Sequence, residues 1–276
     1  PADEILGEGL VTARAPWPLA PAWKLTCDEP GRLRAVHHEG DQAWLLHEAR
    51  ELLLAHGDDE SGLGWYAPVY GMLLPTWTVR TTLRAHAPFA MLTALSTRIG
   101  APVHGPSLER LETTPDVGRI AIGARVTDTS GTSVFLLQPG EANVRDHRAC
   151  GIADYQTDAR VLHYREAAGR LLALDLVDAS QLLALRDDWL SVDAAEGIAD
   201  LHVSLSGDRL DLSSSEPPPH LRLQGGALRK VRRVRLNRRD VDIPASDDAG
   251  TVVVSGVDWA APAGQRDGAN AHIALA

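Results

Sequence analysis

The sequence is short of nearly everything that usually announces an activity. Two cysteines in 276 residues, Cys27 and Cys150, are too few for a disulfide framework or a zinc cluster, and they leave the redox compartment open. No apolar run approaches the roughly 18–20 residues of a membrane-spanning helix. No HExxH or CxxC spacing points to a metal, and no GxSxG, P-loop or GxGxxG pattern points to a nucleophile or a nucleotide. No cofactor is therefore expected, and no metal site. An excess of positive charge is missing too: 27 Lys and Arg face 37 Asp and Glu, a net charge of −10, which argues against a nucleic-acid partner. The chain carries no targeting signal. It begins at Pro1 rather than at an initiator methionine, so a piece of a longer polypeptide is the expectation.

Turn residues and short apolar-alternating runs are what the sequence does have. Trp23-Lys24-Leu25-Thr26-Cys27, residues 31–38 and residues 42–47 read as strands, the last two linked through Glu39-Gly40-Asp41. Residues 44–55 also carry helix formers, and we read them as two strands broken near Glu48. Further strands are expected at residues 76–84, 89–96, 119–126 and 132–137, with Asp128-Thr129-Ser130-Gly131 as a hairpin turn. The Pro- and Gly-rich residues 99–118 read as a surface loop. A strand at residues 170–177 is expected to end in a turn at Asp178-Ala179-Ser180, and more strands follow to residue 255. The fold class is all-β: a large antiparallel β-sandwich of many short strands with few or no helices. One domain is expected over residues 1–259, with a loosely ordered tail at 260–276.

Three stretches invite a chemical reading. Phe occurs twice and Tyr four times, yet Trp65, Tyr66 and Tyr70 fall within six positions. Aromatics dominate cores, so packing is preferred there to stacking on a flat ligand. The run from Arg229 to Arg239 carries seven cations. Alternation places Val231 with Arg233 and Arg235 on one face, and Arg232 with Val234 and Leu236 on the other. A charged, exposed or edge strand is preferred to the alternative, a patch in which Arg232, Arg233 and Arg235 grip carboxylate or sulfate groups. Among the histidines, adjacent His37 and His38 would point to opposite faces of a strand, and His47 and His56 flank the ambiguous segment. Asp146-His147-Arg148 lies close in sequence to Cys150, for which an inert, buried thiol is the expectation.

Gly64-Trp65-Tyr66-Ala67-Pro68-Val69-Tyr70-Gly71 followed by Pro75 resembles the GW-x-S-P-x-Y-G…P segment of the heparinase II/III-like polysaccharide lyases, with Ala67 in place of the usual Ser. Downstream, Thr157-Asp158-Ala159, a strand, and Asp178-Ala179-Ser180 resemble that family's TDA segment and DGS-like turn, with Ala179 in place of Gly. The resemblance covers residues 1–215 loosely. It implies the C-terminal β-sandwich of such a lyase, with an N-terminal (α/α) toroid domain of the same polypeptide as partner. Acidic polysaccharide is the implied substrate, cleaved at uronates by β-elimination in a secreted or periplasmic setting. The family's His-rich catalytic segment has no counterpart in this chain, so no catalytic residue is carried over. Trp65, Tyr66, Tyr70, Arg232, Arg233 and Arg235 are the expected glycan contacts; a non-catalytic carbohydrate-binding or cell-surface interaction sandwich is the alternative.

Overall fold

The computed structural model describes residues 4–5, 10–18, 23–29, 31–39, 41–48, 51–86, 90–98, 105–115, 120–139, 149–241, 250–255 and 259. The expected tail at 260–276 lies outside them. The fold is all-β and sandwich-like, as the alternation predicts. Among the described residues the only helical segment is one 3₁₀ turn, Gly226–Leu228. The chain divides into two compact units, one of residues 1–112 and 122–135, the other of 113–121 and 136–276.

The first unit contains β1 (Glu4–Ile5), β2 (Leu10–Pro18), β3 (Trp23–Glu29), β4 (Arg32–His37), β5 (Gln42–His47) and β6 (Glu51–His56). It continues with β7 (Trp65–Tyr66), β8 (Leu74–Pro75), β9 (Trp77–His86), β10 (Thr93–Arg98) and β11 (Ser107–Leu111). Two four-stranded antiparallel sheets result, ordered β1-β2-β9-β6 and β10-β5-β4-β3. They pack face to face: Leu25, Leu33, Ala35 and Ala43 of one sheet meet Val79 of the other, with Leu45, Leu52, Leu54 and Trp77 around them. The break expected near Glu48 is present between β5 and β6. The Glu48 carboxylate accepts the Leu92 backbone N–H at 2.8 Å and pairs with Arg110.

The remaining strands are β12 (Thr113–Pro115), β13 (Ile122–Asp128), β14 (Gly131–Leu137), β15 (Cys150–Ile152), β16 (Tyr155–Thr157), β17 (Val161–Ala167) and β18 (Arg170–Ala184). After them come β19 (Ser191–Ser206), β20 (Arg209–Ser213), β21 (His220–Gln224), β22 (Arg233–Leu236), β23 (Arg239–Val241) and β24 (Thr251–Ser255). Two expectations change here. Residues 99–118 are not simply a loop, because β11 and β12 form within them. Asp178-Ala179-Ser180 is not a turn either: β18 runs through it for 15 residues, bending at a register shift between Ala179 and Gln181.

In the second unit, β17, β18, β19, β20, β22 and β23 lie side by side in that order. All neighbours are antiparallel except β20 and β22, which are parallel. The period of two sorts the side chains cleanly. Leu162, Tyr164, Leu174, Leu176, Leu201, Val203, Leu210, Leu212, Val234 and Leu236 are buried on one face. The opposite face carries His163, Asp175, His202, Ser213, Asp211 and Arg235. Tyr155, Tyr164 and Trp189 form a tight aromatic cluster in the core, with ring centroids 5.1–5.2 Å apart.

Candidate functional site

The aromatic segment forms a β-hairpin, β7 with β8, whose base is fixed by Gly64. Gly64 has φ +79°, and a Cβ there would lie 2.6 Å from the backbone nitrogen of Gly57. Its carbonyl accepts the backbone N–H groups of Gly57 at 2.8 Å and Thr76 at 2.7 Å, while its own N–H donates to the Thr78 hydroxyl at 3.2 Å. Trp65 sits opposite Pro75, and Tyr66 opposite Leu74. Trp65 is half-buried against Gly57. The turn from Val69 to Met72 then carries the loop outward.

The expected preference for core packing does not hold for the tyrosines. Tyr70 is fully exposed at 106% and Tyr66 is 48% exposed; Val69 at 61% and Leu73 at 63% stand beside them. These side chains form an exposed apolar cluster rather than part of a core.

Arg232, Arg233 and Arg235 lie in the second unit, apart from that hairpin's unit. With Arg209 they line a cleft of about 380 Å³. The face assignment expected from alternation fails at two residues, Val231 and Arg232; Arg232 is exposed rather than on the inward face with Val234 and Leu236. The strand begins only at Arg233, so Val231 precedes it and is buried rather than sharing a face with Arg233 and Arg235. Nor is this strand the sheet's edge, since β23 lies outside it. Arg233 and Arg235 point away from the core; Val234 and Leu236 point into it. Arg233 pairs with Asp208 at 2.6 Å, Arg209 with Asp211 at 3.0 Å, and Arg235 with Asp240 at 3.4 Å. Arg232 has no carboxylate partner among the described residues; its guanidinium donates to the backbone carbonyls of Val231 and Arg229. Solvent screens exposed pairs of this kind, so an incoming sulfate or carboxylate can compete for these guanidiniums.

Sequence reasoning missed one constellation. His163, Asp175, His202 and Ser213 stand in one cross-strand row over β17, β18, β19 and β20. One oxygen of Asp175 bonds His163 Nδ1 at 2.7 Å and the other bonds His202 Nδ1 at 2.5 Å. Burial works to raise the Asp175 carboxyl, but the two histidine hydrogen bonds outweigh it and hold it down to about 2. The hydrogen bond that its imidazolium donates to Asp175 in turn raises His202 above the usual imidazole range. The available signal was register: each residue sits at an outward position of its strand, but only the pairing of the strands puts them in line.

The other candidates resolve as follows. His37 and His38 do not point to opposite faces, because β4 ends at His37, and their rings lie 4.1 Å apart. His56 packs on Trp77, centroid to centroid 4.8 Å. His47 is buried, which lowers its pKa. Among the described residues no three His, Cys, Asp or Glu come together as a metal site. Neither cysteine forms a disulfide; Cys150 is fully buried, and burial pushes its thiol up to about 11, as an inert thiol requires. Asp146-His147-Arg148 lies outside the described residues. No helix among the described residues is long and apolar enough to cross a membrane.

Asp158 and Ser180, from the two downstream segments of the family resemblance, meet in space. The Asp158 carboxylate accepts the Ser180 backbone N–H at 2.9 Å, its hydroxyl at 2.5 Å, and the Gln181 backbone N–H at 2.9 Å. Thr157 donates its hydroxyl to the Gln181 carbonyl at 2.7 Å. These bonds clamp the bend in β18, so the pair has a structural role. Compared with protein-family models and with curated proteins, the chain matches none.

Proposed function

We propose that the chain is the C-terminal β-sandwich portion of a heparinase II/III-like polysaccharide lyase and that it presents contacts to an acidic polysaccharide. In this reading the tyrosine hairpin offers flat faces to sugar rings. The arginine cleft offers guanidinium groups to uronate or sulfate, which they can grip bidentately. The β-elimination itself belongs to an (α/α) toroid on the same polypeptide, and no residue of this chain is given a catalytic role.

The single observation that carries the proposal is the outward position of Tyr66 and Tyr70 at the end of a hairpin whose base is rigidly fixed. Core aromatics have no reason to stand in solvent, whereas ligand-stacking aromatics must. A non-catalytic carbohydrate-binding sandwich rests on the same tyrosines and differs only in what accompanies it. The coding sequence upstream of Pro1 separates the two. A helical toroid carrying His and Tyr there is the expected finding; an unrelated domain or a stop codon contradicts the lyase assignment.

A further inference from the structure

A second recessed surface lies in the second unit, where β18, β19 and β21 run side by side. Gln181 sits opposite Asp193, and Asp193 opposite Arg222, in one cross-strand row. Ser191 and Gln224 form the next row. The outward side chains of these rows floor a groove of about 350 Å³, within the roughly 300–1,000 Å³ common for small-ligand sites.

The wall is preformed. Arg186 lies over the Trp189 ring at 4.6 Å and is itself held by Asp188. Gly226 donates its N–H to the Asp187 carbonyl at 2.9 Å. A Cβ on Gly225 would fall 1.7 Å from the Trp189 carbonyl oxygen, so the chain can approach this closely only as glycine.

The groove's polar groups are largely unspent. Neither the Gln181 carboxamide nor the Asp193 carboxylate has a partner among the described residues, and Arg222 reaches only Gln224, at 3.4 Å. Asp193 and Arg222 face each other across the strands without forming an ion pair. Leu183 and Val253 add half-exposed apolar surface beside these groups. Two arginines, Arg186 and Arg222, balance two aspartates, Asp187 and Asp193.

We infer that this groove binds an uncharged, hydroxyl-rich sugar segment. Planar carboxamide, carboxylate and guanidinium groups on adjacent strands can each take a pair of neighbouring hydroxyls. The apolar rim suits the C–H face of a pyranose, and the balanced lining gives no preference for an anion. The groove is separate in residues and in ligand charge from the tyrosine hairpin and the arginine cleft, so it stands or falls independently of them.

Isothermal titration of the purified chain with cellohexaose, mannohexaose, xylohexaose and maltohexaose tests the inference. At least one should bind with Kd of about 1 mM or tighter, with little dependence on salt. Asp193→Ala and Gln181→Ala, both at exposed strand positions, should each weaken that binding by about tenfold or more, with Tm unchanged. Tyr66→Ala should leave it unaltered. Failure of all four sugars to bind overturns the inference. So does binding that survives both groove substitutions, or binding that is lost with Tyr66→Ala.

Discussion

Gly64 shows how much one residue can decide. Its carbonyl closes two backbone hydrogen bonds, its conformation is left-handed, and the space where a Cβ would stand holds the backbone of Ala55, His56 and Gly57. Gly64→Ala should therefore cost about 2–4 kcal/mol, strain and overpacking together, read as a loss in chemical denaturation. Asp158 works through bonds rather than space. Asp158→Ala leaves the Ser180 and Gln181 backbone N–H groups without their charged acceptor and should cost about 2–3 kcal/mol. Asp175 adds a pH signature. Its carboxyl is depressed, so that contribution is present above the ordinary carboxylate range and fades as pH falls toward 2. His202 is raised, so its contribution is complete below pH ~6.5 and is lost as pH climbs through the folded value. The stability difference between the native chain and Asp175→Asn should thus be largest between about pH 4 and 6.5. For half-exposed partners that difference amounts to roughly 1 kcal/mol. Buried His47, whose pKa is lowered, pulls the other way in both proteins and cancels in that difference.

At the scale of elements, the sequence was most informative where one strand faces a core on one side only. The alternation in β4, β20 and β21 is visible because each outward residue is free to be polar. It was least informative where packing decides. The Asp, Ala and Ser at 178–180 have turn chemistry, yet the Asp158 carboxylate satisfies the local backbone and lets β18 continue as a bent strand. The Pro and Gly content of residues 99–118 concealed two short strands. Hydrophobic composition also misjudged the hairpin of β7 and β8. Packing is the preference for its aromatics, yet Tyr66 and Tyr70 stand exposed beyond the Gly64 base. The His163–Asp175–His202 row could not be seen at all, because its members are separated in sequence and joined only by register.

Each of the two units builds its own core, and in each the polar and apolar faces are separated by strand periodicity. That separation makes the all-β class legible without any alignment. It says nothing of sheet order: the parallel neighbours β20 and β22 follow from a return path through β21, which no local pattern announces. The family resemblance likewise fares unevenly. Its downstream segments explain themselves as a structural clamp, while its aromatic segment is the part left facing solvent. The central claim is that this exposed hairpin contacts acidic polysaccharide. The most direct measurement is the affinity of the purified chain for heparin and alginate, compared with that of Tyr66→Ala and Tyr70→Ala, with Tm followed in parallel. The account predicts binding that weakens by about tenfold or more in both variants, roughly the loss of one stacking contact, while Tm stays within error. Binding that is absent, or unchanged by both substitutions, or lost only together with Tm, would contradict it.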